Sequence, residues 1–197
     1  MPPVASGRVF CPPTAGEAAA AAAKLPVVVY FHGSGFVLLF AVSRPYDVLC
    51  HRICRVVRAM VVSVNYRLAP EHRFPAGYDD GVPALRYYLD VNGLLEEGEL
   101  ARHHGGPLQL LPRHAGGNIV HHVAQRWAST AASPSSSSPP VPLRLTGARP
   151  SLAWRSGRSQ EEEVELDKAS FSLSLARADY FWREFLPEGA IRDHAAA

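Results

Sequence analysis

Two short apolar runs separated by a helical pattern constrain the fold more than any other feature of this sequence. Residues 27–31 read VVVYF and residues 60–64 read MVVSV, and continuous runs of this kind are typical of strands buried on both faces of a sheet. Between them, apolar residues recur at steps of three and four from Tyr46 to Val57, which predicts an amphipathic helix. A strand, a helix and a second buried strand predict an α/β fold whose sheet is parallel and carries helices on its faces.

The rest of the chain continues this alternation. The pattern predicts a helix from Tyr78 to Val91, a third strand over residues 108–111, a helix from Asn118 to Ser129, and helical periodicity again from Phe171 to Leu186. Residues 133–142 read SPSSSSPPVP, which is too poor in apolar surface to order itself and is predicted to be a flexible loop. At 197 residues, the chain has the length of one domain, and we expect residues 1–197 to form a single one.

Composition and charge indicate which partners and which cellular location to expect for this chain. Twenty Lys and Arg against 18 Asp and Glu leave a net charge of +2, and the arginines are scattered, which disfavours nucleic acid as a partner. No apolar run approaches the roughly 20 residues that span a bilayer. The apolar stretch from Ala18 to Ala23 lacks the basic flank of a secretory signal, so we expect a cytoplasmic protein. The cysteines Cys11, Cys50 and Cys54 have no metal-ligand spacing and are predicted to be small buried side chains in a reducing compartment.

Two glycine-rich turns each follow a predicted strand. The first, residues 31–36, reads FHGSGF, and the second, residues 111–118, reads LPRHAGGN. In an open parallel sheet, ligand sites gather at the carboxyl ends of the strands, where these turns are expected to lie. Two such turns side by side are the framework of an oxyanion hole facing a nucleophile elbow.

The first turn resembles the His-Gly-Gly-Gly motif of the hormone-sensitive-lipase branch of the α/β hydrolases. Three further segments resemble the plant carboxylesterases of that branch: SVNYRLAPEHRFPAGYDDGV at 63–82, AGGNIVHHVAQRW at 115–127 and LDKASFSLSLARADYFWREFLPEG at 166–189. On these motifs, the chain is identified as a member of the α/β hydrolase fold-3 family. The resemblance implies a partial α/β-hydrolase fold with a mainly parallel sheet, helices on both faces, and residues 167–190 as the remnant of a helical cap.

The resemblance also assigns roles to the residues of the two turns. The backbone N–H groups of Gly33, Ser34 and Ala115 would form the oxyanion hole. The flanking motif positions are His32, Gly35, Gly116 and Gly117. His32 is expected to fix the turn by donating a hydrogen bond rather than to act as an acid or base. No cofactor and no metal is implied.

The nucleophile position is the main departure from the family pattern. The family's second turn runs Gly-Asp-Ser-Ala-Gly-Gly-Asn, and alignment on residues 115–118 puts Pro112, Arg113 and His114 where Gly, Asp and Ser belong. Proline adds a ring and removes an N–H where the elbow uses a glycine. The family supplies its catalytic Asp and His from later loops. The chain ends at Ala197 without a match to them, so we expect an incomplete domain with no intact triad.

Three functions therefore stay open at the level of sequence. The first is a carboxylic-ester hydrolase by ancestry that is catalytically impaired or inactive in this chain. The second is a non-catalytic module that binds a small hydrophobic ligand, in the manner of the plant gibberellin receptors of the same family. The third is a truncated product without a biochemical role. The sequence leaves the oligomeric state open.

Three clusters have both a functional and a structural interpretation. Five histidines crowd residues 103–122, but His121 and His122 are adjacent on a helix and point to different faces, so a metal site is not predicted. The charged group formed by Arg67, Glu71, Asp79 and Asp80 is predicted to be a structural ion network rather than a pair of catalytic carboxylates. The aromatic tail either lines an acyl pocket or buries itself.

Overall fold

The sheet is mainly parallel, as predicted. The computed structural model describes residues 6–13, 25–89, 108–112, 115–131, 143–145, 174–191 and 194. Its strands are β1 (Ser6–Phe10), β2 (Val27–Phe31), β3 (Met60–Asn65), β4 (Leu108–Pro112) and β5 (Leu143–Leu145). They form one sheet in the order β1-β3-β2-β4-β5, in which β1 runs antiparallel to β3 and the other neighbours are parallel.

The helices lie close to their predicted positions. They are α1 (Arg44–Val57), α2 (Ala76–Asp79), α3 (Gly81–Leu89), α4 (Gly116–Ala131) and α5 (Leu175–Phe185). The helix predicted from Tyr78 to Val91 begins at Ala76 and is interrupted at Asp80, so that it forms both α2 and α3. Residues 90 and 91 lie outside the described residues.

Helices cover both faces of the sheet, because successive strand residues point to opposite sides. On one face, Val27, Val29 and Phe31 join the larger core, which also contains residues of α3, α4 and α5. On the other face, Val28 and Tyr30 pack with α1 residues such as Tyr46, Cys50 and Cys54. Full burial of both faces explains why β2 and β3 are continuous apolar runs instead of alternating ones.

Two short strands, β1 and β5, were not predicted from the sequence. β1 pairs with the whole of β3, from Ser6 opposite Asn65 to Phe10 opposite Val61. Its sequence, SGRVF, has no continuous apolar run, and β5 has only three residues with Arg144 at its centre. Both depend on pairing with a neighbouring strand more than on their local pattern.

The burial prediction is right for two cysteines and wrong for the third. Cys50 and Cys54 are fully buried, and burial raises the pKa of both thiols to about 11. Cys11 is exposed, because it lies just beyond the end of β1, the edge strand of the sheet. None of the three forms a disulfide bond within the part of the chain that the structure describes.

Several predicted features fall outside the part of the chain that the structure describes. These include the Ser/Pro loop at 133–142 and residues 167–173 of the cap-like segment, so the division of residues 1–197 into one domain stays a prediction. Within the cap-like segment, α5 forms as the periodicity indicated, beginning after Ser174, whose hydroxyl accepts a hydrogen bond from the Arg177 N–H. Among the described residues, no helix combines the length and apolar character needed to cross a bilayer.

Candidate functional site

The N-terminus of α4 lies directly against the carboxyl end of β2. A Cβ added to Gly116 would lie 2.2 Å from the carbonyl oxygen of Phe31 and 2.8 Å from that of His32. These neighbours are backbone atoms, so only a glycine fits here. Ala115, at the junction, is fully buried. The structure thus brings the second glycine turn beside the first, as the sequence predicted.

Three consecutive residues of the first turn have a left-handed backbone. The φ angles are 74° at Ser34, 67° at Gly35 and 66° at Phe36. For residues with a Cβ, this conformation costs about 1–2 kcal/mol each. Two contacts hold this backbone conformation. The Ser34 hydroxyl forms a 2.5 Å hydrogen bond with the Tyr46 hydroxyl of α1. The Phe36 ring stacks on the Phe185 ring of α5, with the ring centroids 3.9 Å apart. The spacing of apolar residues predicted Tyr46 on the apolar face of a helix but did not indicate this hydrogen bond.

His32 is a buried, neutral side chain that fixes the first turn. Its Nδ1 lies 3.1 Å from the Gly33 carbonyl oxygen, which only accepts, so Nδ1 carries the proton and donates. The imidazole ring stacks on the Tyr66 ring, with the ring centroids 4.3 Å apart. The Tyr66 hydroxyl donates a hydrogen bond to the His32 carbonyl oxygen at 2.9 Å. Burial lowers the pKa of His32 to about 4. The burial and these hydrogen bonds support the structural role of His32, which stays a prediction.

Helix α5 packs onto the first turn through its aromatic side chains. A Cβ on Gly35 would lie 2.3 Å from the Phe181 ring, so this glycine makes room for α5. Phe181, Trp182 and Phe185 are all buried, whereas Tyr180 is 41% exposed. Most of the aromatic tail thus buries itself against the turn, and whether it also lines an acyl pocket stays open.

Arg73 anchors the C-terminal end of α5. Its Nη1 donates to the carbonyl oxygens of Arg183, Glu184 and Leu186 at 2.6, 2.8 and 2.9 Å. The last carbonyls of a helix have no partner within the helix, and Arg73, from the loop after β3, satisfies two of them together with the carbonyl of Leu186 just beyond the helix. Nothing in the local sequence pattern indicated this long-range contact, because the two partners are more than 100 positions apart.

The charged group after β3 is structural, as predicted, but it has different members. Asp80 is 5% exposed and accepts hydrogen bonds from both the backbone N–H and the guanidinium of Arg67. The hydrogen bond to Asp80 raises the pKa of Arg67. Asp79 instead pairs with Arg126 of α4 at 2.6 Å. Glu71 takes part in none of the ion pairs recorded among the described residues.

The structure describes β4, which leads up to the nucleophile position, but not the nucleophile position itself. Pro112 ends β4 in register with Phe31, so the second turn begins at the carboxyl edge of the sheet. Arg113 and His114 lie outside the described residues, as do His103 and His104. No group of three potential metal-ligating side chains occurs in the described ranges. The placement of His114 where the family has its serine therefore stays a prediction from sequence.

Comparisons with known proteins agree on one family. A family model described as alpha/beta hydrolase fold matches residues 28–197. The gibberellin receptor GID1 of Oryza sativa subsp. japonica is 35% identical over 178 residues, covering 90% of this chain and 46% of the receptor. The 3-O-acetylpapaveroxine carboxylesterase CXE2 of Papaver somniferum is 36% identical over 195 residues, covering 95% of this chain and 58% of the esterase.

This chain also matches solved structures of the same fold. The thermostable carboxylesterase EstE1, cloned from a metagenomic library, matches with a TM-score of 0.65 at 26% identity, covering 91% of this chain and 54% of that one. This chain spans about half the length of the curated relatives and of this structural neighbour.

Proposed function

This chain belongs to the α/β hydrolase fold family, and from that membership we propose a carboxylesterase-like protein that keeps the family's anion-binding turns and lacks its serine nucleophile. Its ligands would be small esters or other hydrophobic molecules, which it binds with little or no hydrolysis. The observation that carries the proposal is the packing of Gly116 on the Phe31 carbonyl, because it sets the two turns side by side. The expected cytoplasmic location stays a prediction.

We infer that the backbone N–H groups of Gly33, Ser34 and Ala115 supply the anion-binding site. Gly33 and Ala115 are buried and Ser34 is half-buried, so an anion there would be partly shielded from water, which strengthens its electrostatic attraction. The N-terminus of the 16-residue helix α4 adds a partial positive charge. In enzymes that also hold a nucleophile, one oxyanion-hole donor lowers the barrier by roughly 3 kcal/mol.

The expected loss of catalysis rests on the residue at the nucleophile position. His114 stands at the nucleophile position in the sequence, and attack by an imidazole would leave a reactive acyl-imidazole that needs an activating partner. His32 does not provide that activation, because its ring is buried and its pKa is lowered to about 4. Hydrolysis is therefore expected near the background rate.

Ligand binding is favoured over hydrolysis by one further observation. A relative that is 35% identical over 90% of this chain is named a gibberellin receptor, so ligand recognition without a named catalytic activity occurs within the family. A low level of ester hydrolysis is the alternative, supported by the carboxylesterase relatives of similar identity.

Hydrolysis of 4-nitrophenyl acetate separates these two functions. We expect near-background rates for the unmodified protein and for His114→Ser, because restoring the serine leaves Pro112 where the elbow uses a glycine. Turnover by the unmodified protein that an organophosphate abolishes would establish the alternative. A rise in melting temperature with phenylphosphonate, a stable tetrahedral anion, is expected if the anion-binding turns are intact.

A further inference from the structure

A cavity lies at the carboxyl end of β3, apart from the anion-binding turns. Its volume is about 440 Å³, which lies in the range of small-molecule sites. The lining comes from β1, the end of β3, the loop that follows it and the residues after the first turn. Gly33, Ser34 and Ala115 do not contribute to it.

One wall of this cavity is apolar. Val37, Phe40 and Leu68 line this wall. Phe40 is 54% exposed, and its backbone N–H donates a 2.8 Å hydrogen bond to the Ser43 hydroxyl. Leu38, next to these residues in sequence, is also exposed. An apolar ligand body would bury this surface favourably, at about 25 cal/mol per Å².

Most polar groups in the lining are already occupied. Asp80 is paired with Arg67 at 2.8 Å. The Asn65 side chain accepts a hydrogen bond from the Ala41 N–H and donates one to the Ser6 hydroxyl. These groups hold the cavity in shape and have little capacity left for a ligand.

Glu71 is the charged group that remains available. Its side chain is exposed, and no hydrogen bond or ion pair recorded among the described residues involves it. Because Arg67 and Asp80 balance each other, the Glu71 carboxylate is the acidic group of the lining that no cation in the described ranges pairs with. An ammonium group satisfies a carboxylate by charge-assisted hydrogen bonds and is also attracted by an aromatic face, which Phe40 offers.

We propose that this cavity binds a small organic ammonium ion with an apolar body. The ammonium donates to the Glu71 carboxylate, and the body packs against Phe40 and Val37. The site uses none of the residues of the anion-binding turns, so it goes beyond the proposed function and does not depend on it.

Calorimetric titration of the full chain with 2-phenylethylammonium tests the proposal, and 2-phenylethanol is the uncharged control ligand. The ammonium is expected to bind about tenfold more tightly than the alcohol, a ratio equivalent to about 1.4 kcal/mol. Glu71→Gln should remove that advantage, whereas Glu188→Gln, which changes an exposed carboxylate after α5, should leave it intact. Phe40→Ala should weaken both ligands.

Three results would overturn the proposal: equal affinity for the two ligands, unchanged ammonium binding in Glu71→Gln, or no binding of the ammonium up to about 10 mM, a limit that corresponds to less than about 3 kcal/mol of affinity. All three substituted side chains are exposed, so the variants should melt like the unmodified protein. Amide NMR shifts at Val37 and Leu68 provide a second measurement that locates the bound ligand.

Discussion

The α-carbon of Gly116 lies so close to the carbonyl oxygen of Phe31 that a Cβ there would be 2.2 Å from it. This contact joins the start of α4 to the end of β2 and thereby fixes the distance between the two glycine turns. Any change that separates these atoms would open the anion-binding site as well as the core beneath it.

Gly116→Ala is predicted to destabilise the fold by about 3 kcal/mol or more, because the methyl group meets backbone atoms that cannot move aside. Gly189→Ala is the matched control. No atom lies within 4 Å of its added Cβ, and its φ of 79° costs only about 1–2 kcal/mol. Urea unfolding of both variants measures the difference. Equal losses of stability would contradict the close packing at Gly116.

Ser34→Ala is predicted to cost about 1 kcal/mol, because it keeps the left-handed backbone and loses the hydrogen bond to Tyr46. Ser34→Gly loses the same bond but relieves the backbone strain, so its stability should stay within about 0.5 kcal/mol of the unmodified protein. Thermal unfolding compares the two. A glycine variant less stable than the alanine variant would show that the turn is not strained as described.

Arg73→Met is predicted to destabilise the protein by about 2 kcal/mol, because three carbonyl oxygens at the end of α5 lose a charged donor. Arg177→Met on the exposed side of α5 is the control and should have little effect. Hydrogen exchange gives the more specific readout, since α5 amides should lose protection before the strands do. Unchanged α5 protection in Arg73→Met would rule out the anchoring role.

Burial of neutral His32 predicts a loss of stability in acid. Its pKa falls from 6.5 to about 4 on folding, so the unfolded chain binds more protons between these values. The stabilisation is fully present above pH 6.5 and is lost as the pH falls towards 4, by about 3 kcal/mol in all. Urea unfolding across this range should show a shallower pH dependence for His32→Gln.

His72→Gln, which changes an exposed histidine, is the control for that series. If His32→Gln fails to fold, NMR titration of the His32 ring in the unmodified protein replaces it. Protonation of that ring near pH 6.5 would contradict the buried, neutral state.

The sequence predicted the elements whose signal is local. β2 and β3 are continuous apolar runs and were located to within a residue, and the spacing of apolar residues located α1. β1 and β5 were missed because their residues form strands only against longer neighbours. The same reason applies to Cys11, whose exposure depends on lying at the edge of the sheet.

At the candidate site, the sequence motifs predicted which turns meet but not what holds them. The glycines at 33, 35 and 116 and the role of His32 were expected from the motif. The bond from Ser34 to Tyr46 and the anchoring of α5 by Arg73 were not, because each joins residues from separate elements. Such contacts depend on packing angles between helices and sheet, which periodicity does not encode.

Labelling with a fluorophosphonate, followed by intact-mass and peptide mass spectrometry, shows whether this chain holds an activated serine nucleophile. The reagent forms a stable bond with an activated serine nucleophile and requires no knowledge of the natural ester. We predict no stoichiometric adduct, since His114 stands at the nucleophile position and the Ser34 hydroxyl is hydrogen-bonded to the Tyr46 hydroxyl. A stoichiometric adduct on any serine of this chain, abolished by prior unfolding, would contradict this prediction.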